Sequence, residues 1–311
     1  PVQWRLALFP DKHDSQVHEI RGHCRELKVA EHYYIYLIDL PLNMPLPTDT
    51  WVGYELSYKH GADGEWINLT QEVPHLLYPG RSTLGFVIQS QIRSVLHGSC
   101  RKPHYARKEG SSAGDGLVRA DQHLLELAAT PTEWPALLMM GGDQIYTDDV
   151  AGPMLVAIHR LLNELNSPAE PLPATKLDNS DTLHREQPHY YTRDQLLPKT
   201  KANKDIRTVL FTGVKKPVFT TDSARNHLIS LSEVMAMYLL VWSPVPWRYT
   251  EMTIPVDVPT EFAERYEAQL EAMEEFVAEL DCVHRLMAHI PVAMMFDDHD
   301  ITDDWNLSAE W

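Results

Sequence analysis

ALLMMGGD, Ala136–Asp143, is a short apolar run that breaks into two glycines and then a carboxylate. A run this short, bounded by turn residues, reads as a buried strand rather than a helix. Two further stretches share its build. SVLHGSC (Ser94–Cys100) ends in small residues, and IPVAMMFDDHD (Ile290–Asp300) runs into acid. Helical periods fall between them at DGLVRADQHLLELAA (Asp115–Ala129), with Asp115 as N-cap, and at VAGPMLVAIHRLLNEL (Val150–Leu165). Two longer helical patterns follow, Ser223–Trp242 and Pro259–Ile290, the second with acids in its early turns. Alternating strands and helices make an α/β domain with a largely parallel core. Ligands of such sheets bind beyond the carboxyl ends of the strands. Cys100, Asp143, Asp298 and His299 are therefore expected to converge.

The first ninety residues have a different rhythm. His32–Leu40, Trp51–His60 and Ser82–Ser90 are rich in aromatic and β-branched residues and are separated by turn clusters, which predicts a small antiparallel sandwich. Two domains follow, residues 1–92 and 93–311. The Pro-, Asn-, Asp- and Lys-rich stretch 166–204 is expected to be a partly mobile insertion in the second.

With 44% hydrophobic and 23% charged residues the chain has the composition of a globular protein. Its net charge of −17 repels polyanions and disfavours general nucleic-acid or anionic-membrane binding. A small anionic substrate fits only where bound cations reverse the local sign. The three cysteines, Cys24, Cys100 and Cys282, form no disulfide framework, and the expected compartment is the cytoplasm. A chain that starts at Pro1 leaves open a removed leader, and with it a secreted or periplasmic location. The longest apolar stretch, Val234–Trp242, is too short to span a membrane.

The residues at the strand ends carry metal chemistry. Gly141 and Gly142 let the backbone deliver the Asp143 carboxylate to an ion, and Tyr146 can bring a phenol to the same centre, although a plain turn Asp with a packed Tyr fits as well. Cys100 is either a soft ligand or a small buried apolar residue; Cys24 and Cys282 are read as the latter. The five aspartates of MMFDDHDITDDWN (Met294–Asn306) repel one another unless solvated or neutralised. This is not an EF-hand loop, because the glycine expected at position six is missing and position twelve is Ser308. His284 and His289, five apart, do not share a helix face and read as unrelated.

Taken together, HGSCRKPH (His97–His104), GGDQIYTDD (Gly141–Asp149) and FDDHDITDDWN (Phe296–Asn306) resemble the alkaline phosphatase D (PhoD-like) branch of the metallophosphoesterases, over roughly Ser94–Trp311. The resemblance implies an α/β fold, the first half of a four-layer α/β/β/α sandwich, and metal-dependent hydrolysis of phosphate mono- or diesters at a binuclear site. It implies that Cys100 and Tyr146 bind an iron, that Asp143 bridges both metals, and that Asp298 binds the second. His299 would touch the phosphate or the leaving group, Asp300 would orient His299, and Asp303 and Asp304 would help hold calcium. The donor set leans toward Fe3+ on one side and Ca2+ on the other. The implied partner is a small phosphoester. The Gly-Asp-x-His segment that completes such sites does not follow Asp300 before Trp311, so the resemblance implies an N-terminal portion of a longer domain, possessing a partial site. Two other readings are a non-catalytic metal-binding protein on the same strand ends, and an α/β protein whose acidic loop is merely solvated and whose strand ends lie apart.

Overall fold

The computed structural model of the protein describes residues 2–11, 14–19, 24–42, 45–105, 114–173, 175–197, 221 and 224–305. Its N-terminal part is antiparallel. Strands β1 (Val2–Asp11), β2 (Asp14–Glu19) and β5 (Trp51–His60) lie in the order β2-β1-β5. The far edge of β5 is shared between β6 (Ile67–Asn68) and β7 (Leu84–Val87). The hairpin of β3 (Cys24–Ala30) and β4 (Tyr33–Ile38) is separate in its hydrogen bonding, and Trp4 meets it edge-on through Tyr36, ring centroids 5.2 Å apart. Strands β1, β2 and β3 lie outside the three stretches expected to be extended, because their aromatic and β-branched content is thinner.

The three short runs form a separate sheet. β8 (Leu96–Gly98), β9 (Leu138–Met140) and β10 (Val292–Met294) pair in parallel in the order β10-β9-β8, with Leu96, Leu138 and Val292 in register. Parallel neighbours need long crossovers. These are supplied by α2 (Gly116–Glu126), α3 (Gly152–Glu164), α4 (Leu231–Trp242), α5 (Ala263–Ala278) and α6 (Leu280–Met287); a single-turn helix, α1 (Leu69–Glu72), precedes them. Leu138 and Met140 point into a core shared with Leu117, Leu124, Val283 and Leu286 from α2 and α6. A second and larger core joins α3, α4 and α5. On the opposite face of the sheet Met139 is 45% exposed, with His97 and Ala293 exposed beside it. The mixed α/β class matches expectation. Among the described residues no helix is long and apolar enough to cross a membrane.

Three expectations change. The pattern Pro259–Ile290 is two helices, broken at Glu279. Its buried positions, Tyr266, Met273, Phe276, Leu280 and Val283, keep helical spacing through the break, so periodicity carries no mark of it. The helix expected over Ser223–Trp242 starts at Leu231, because the Ser230 hydroxyl accepts from the Glu233 N–H and the Glu233 carboxylate reaches back to the Ser230 N–H. The excursion over residues 175–197 is packed: Leu183, Tyr190, Tyr191 and Arg193 are all buried. Residues 198–204 of the expected insertion lie outside the described ones. His284 and His289 fall on different sides of their helix end, yet both meet the Pro74–Leu76 turn. His284 pairs with His75 at 3.0 Å, and His289 donates through Nε2 to the Leu76 carbonyl at 2.8 Å. With the Tyr54 hydroxyl donating to the Ala288 carbonyl at 2.5 Å, they join the N-terminal sheet to α6.

Glu233 does more than cap α4. It is fully buried, accepts from Arg193 at 2.7 Å and from His159 at 2.8 Å, and receives the Ile229 and Ser230 N–H groups on its other oxygen. Burial would raise its pKa, but Arg193 and His159 hold it well below the usual carboxylate range. Glu233→Ala leaves the Arg193 guanidinium buried without its counter-charge. We expect a loss of about 3–5 kcal/mol in unfolding free energy, read from urea denaturation.

Candidate metal centre

The three strand ends are stitched together beyond the sheet. The Gly141 N–H donates to Gly98 at 2.7 Å, the Cys100 N–H to Gly142 at 3.2 Å, and the Met295 N–H to Met140 at 2.9 Å. Gly142 makes the closest approach possible: at φ +139° it lies so near Asp297 that an added Cβ would sit 2.5 Å from the Asp297 Cβ. Cys100 and Asp143 take left-handed backbone at φ +58° and +50°. For non-glycine residues that conformation costs on the order of 1–3 kcal/mol each; the Asp143 side chain is buried at its strand end, while Cys100 stays exposed at the neighbouring one.

Of the four residues expected to converge, three share one group and Cys100 is not part of it. Asp143, Asp298 and His299 offer ligand atoms that all lie within 4.8 Å of one another. On the other flank of Asp143, Cys100 lies near enough to Asp143 and Tyr146 to influence their ionisation, its thiol bonded to the Ser99 hydroxyl at 3.4 Å, and the Tyr146 hydroxyl lies 3.4 Å from the Asp143 carboxylate. This arrangement removes the alternative of strand ends that lie apart. Asp143 is buried, and its Oδ1 has no hydrogen-bond partner.

Electrostatics supply a second indication. Burial pushes the Asp143 carboxyl up, and Asp298 and Asp297 add to the push. Burial, Asp143 and Cys100 push the Tyr146 phenol up strongly. The Cys100 thiol is lowered by Ser99 but raised on balance by Asp143 and burial. Three potential anions crowd together, the His299 imidazole offsets only part of their charge, and one buried lone pair is orphaned. A cation satisfies both deficits, so the donor set fits a metal. Cys24, Cys100 and Cys282 are free thiols, Cys100 exposed, and none of them belongs to a metal-capable group among the described residues.

His299 has a defined orientation. Its ring packs at a tilt of 32° against Tyr146, centroids 4.5 Å apart, and its Nδ1–H donates to the buried Asp148 at 2.9 and 3.1 Å, which leaves Nε2 on the side of Asp303 at 3.9 Å. Burial alone would lower the imidazole pKa; the bond to Asp148, reinforced by Asp143 and Asp303, raises it to about 9. Asp148, which burial would raise, is correspondingly lowered.

The orienting carboxylate is thus Asp148, not Asp300 as the resemblance implied. Asp300 is buried and is occupied by the N–H groups of Gln144, Ile145 and Asp297 and by the Tyr238 hydroxyl. It positions the loops and makes no hydrogen bond to the His299 ring. Asp148 sits in the quoted Thr-Asp-Asp, but no local pattern distinguishes it from Asp149, which pairs instead with Lys102 and His104. Asp303 and Asp304 join Asp298 in an adjoining carboxylate group, and Asp298 accepts the Asp304 N–H at 2.9 Å.

No protein-family model matches the chain, and no curated protein does. A solved structure described as "Structure of PhoD" aligns over 98% of this chain and 33% of its own length, at 9% identity and a TM-score of 0.33. The chain therefore spans about a third of that protein's length. At that TM-score the superposition decides nothing about fold or chemistry, and the functional case stands on the residues.

Two outcomes follow for the metal-free protein. Asp148→Asn removes the main group that outweighs burial, so the His299 pKa should fall from about 9 toward its ordinary range, read from imidazole NMR shifts. Because folding raises this pKa, the stability it contributes is full below 6.5 and is lost as pH rises through 9; the variant should lack that slope. Gly142→Ala should cost at least about 2 kcal/mol in unfolding free energy, because both its φ and its distance to Asp297 exclude a Cβ.

Proposed function

We propose that the strand ends form a two-cation site for hydrolysis of phosphate esters. The observation that carries this is the buried, unpartnered Oδ1 of Asp143, set between Cys100 and Tyr146 on one flank and Asp298 and His299 on the other. A carboxylate with distinct donors on both sides suits a bridging role. Cys100 and Tyr146 are soft or phenolic donors that suit Fe3+, while Asp298, supported by Asp303 and Asp304, is an all-oxygen set that suits Ca2+.

When bound, such a pair would acidify a water and offset the charge that develops on the phosphoryl oxygens. The residues of the chain supply the remainder. Asp148 holds the His299 ring by Nδ1, so Nε2 is the atom presented to substrate. In its protonated form that nitrogen donates to the departing oxygen as the ester bond breaks. Tyr146 packs against the ring at a tilt and limits its rotation. The resemblance in HGSCRKPH, GGDQIYTDD and FDDHDITDDWN to PhoD-like metallophosphoesterases points the same way, with an antiparallel domain to about residue 92 and the catalytic domain after it. In a four-layer α/β/β/α arrangement the exposed face around Met139 would seat a second sheet. A non-catalytic metal-binding protein shares the donors but gives no role to the oriented His299–Asp148 pair.

The test combines elemental analysis with aryl-phosphate turnover. Stoichiometric iron and a second cation are expected, with metal-dependent hydrolysis. Asp143→Asn should lose metal and lower the rate by several powers of ten. His299→Asn should keep metal content near wild type and lower kcat by about 10²–10⁴-fold. Turnover without metal, or full activity in Asp143→Asn, would overturn the assignment.

A further inference from the structure

Beside Cys100 lies a cavity of about 310 Å3, at the lower end of the roughly 300–1,000 Å3 that small-molecule sites occupy. Its floor is Leu138 and Met140, on the helix-covered face of the parallel sheet. Its walls are Leu117 and Ala120 from α2, and Ala272 and Phe276 from α5. Ser99, Cys100 and Lys102 form the rim, so one residue, Cys100, belongs both to the cavity and to the donor cluster.

The charges around it decide what it can take. Arg101 borders the cavity, but its guanidinium is buried and committed, to Asp115 at 2.7 Å and to the Val241 carbonyl at 2.5 Å. Glu275 and Glu279 also border it, which disfavours an anion inside. Lys102 is at the rim, paired with Asp149 and 5.7 Å from the centre of the Tyr146 ring, on the side of the cluster. Negative charge is thus accommodated outside, at the donor cluster, and hydrocarbon inside.

We infer that this cavity is the subsite for an apolar, naphthyl-sized organic arm of the ester whose phosphate sits at the donor cluster. The inference rests on the phosphoester assignment, but the cavity makes its own prediction. Burying an aromatic group against these walls removes apolar surface from water, and filling the space with protein should abolish that gain.

The probe is 1-naphthol, with binding followed by its fluorescence on the 311-residue chain and on two variants, Ala272→Phe and Ala120→Phe, from different helices. Each variant must keep a cooperative melt; two positions guard against one failing to fold. Wild type should bind 1-naphthol, and both variants should weaken binding tenfold or more. For the metal-loaded protein, kcat/KM for 1-naphthyl phosphate should fall tenfold or more, while that for ethyl phosphate stays within twofold. Naphthol binding unchanged in either folded variant overturns the inference, as does an equal loss for both esters. If naphthol binding is lost as expected but wild type hydrolyses neither ester, the cavity stands as an apolar-ligand site and the phosphoester assignment falls.

Discussion

The Asp300 carboxylate is the point from which the centre is built. One oxygen accepts the Gln144 and Ile145 N–H groups at 3.1 and 3.2 Å and the Tyr238 hydroxyl at 2.6 Å; the other accepts the Asp297 N–H at 3.0 Å. These four bonds tie the loop after β9 to the loop after β10, and both to α4. The two from Gln144 and Ile145 are buried and the other two half-buried, settings in which an unpaired polar group is costly, so the loops have little alternative to this arrangement. Thr147 completes the seam by donating its N–H to the His299 carbonyl at 2.9 Å. Donors from opposite ends of the chain are thereby held at fixed separation before any ion arrives.

That rigidity has an electrostatic cost. The Asp143 carboxyl, the Cys100 thiol and the Tyr146 phenol are pressed together, and each is pushed toward its protonated form by burial or by its neighbours. Left-handed backbone at Cys100 and Asp143 adds strain at the same two strand ends. Local conflict of this kind marks functional sites, where a bound group supplies the compensation. The sheet order separates the roles in space: β8 brings Cys100 to one flank of Asp143, and β10 brings Asp298 and His299 to the other.

Support for the centre comes from further away. The fully buried Glu233–Arg193 pair fixes the start of α4, the helix that delivers Tyr238 to Asp300. Arg193 comes from the irregular stretch after Asn166, which is packed against α3 and α4 although its composition reads as loop. Composition there reported the absence of regular elements correctly and missed the burial, because burial depends on Tyr190, Tyr191 and Arg193 finding partners elsewhere in the chain.

The local sequence by itself determined the three short strands, the helices between them and the ligand-type residues at their ends. Apolar runs broken by glycine, aspartate or small residues leave little other choice, and parallel connection through helices forces such ends together. It also determined the capped start of α2 at Asp115. Tertiary structure alone decided which aspartate serves His299. Asp148 and Asp300 are both near in sequence to a ligand, and only the three-dimensional path of the loops turns one toward the imidazole and the other toward backbone N–H groups. It likewise decided the break at Glu279 and the anchoring of His284 and His289 on the Pro74–Leu76 turn. Those outcomes depend on contacts between residues as many as two hundred positions apart, and neither periodicity nor composition encodes contacts of that range.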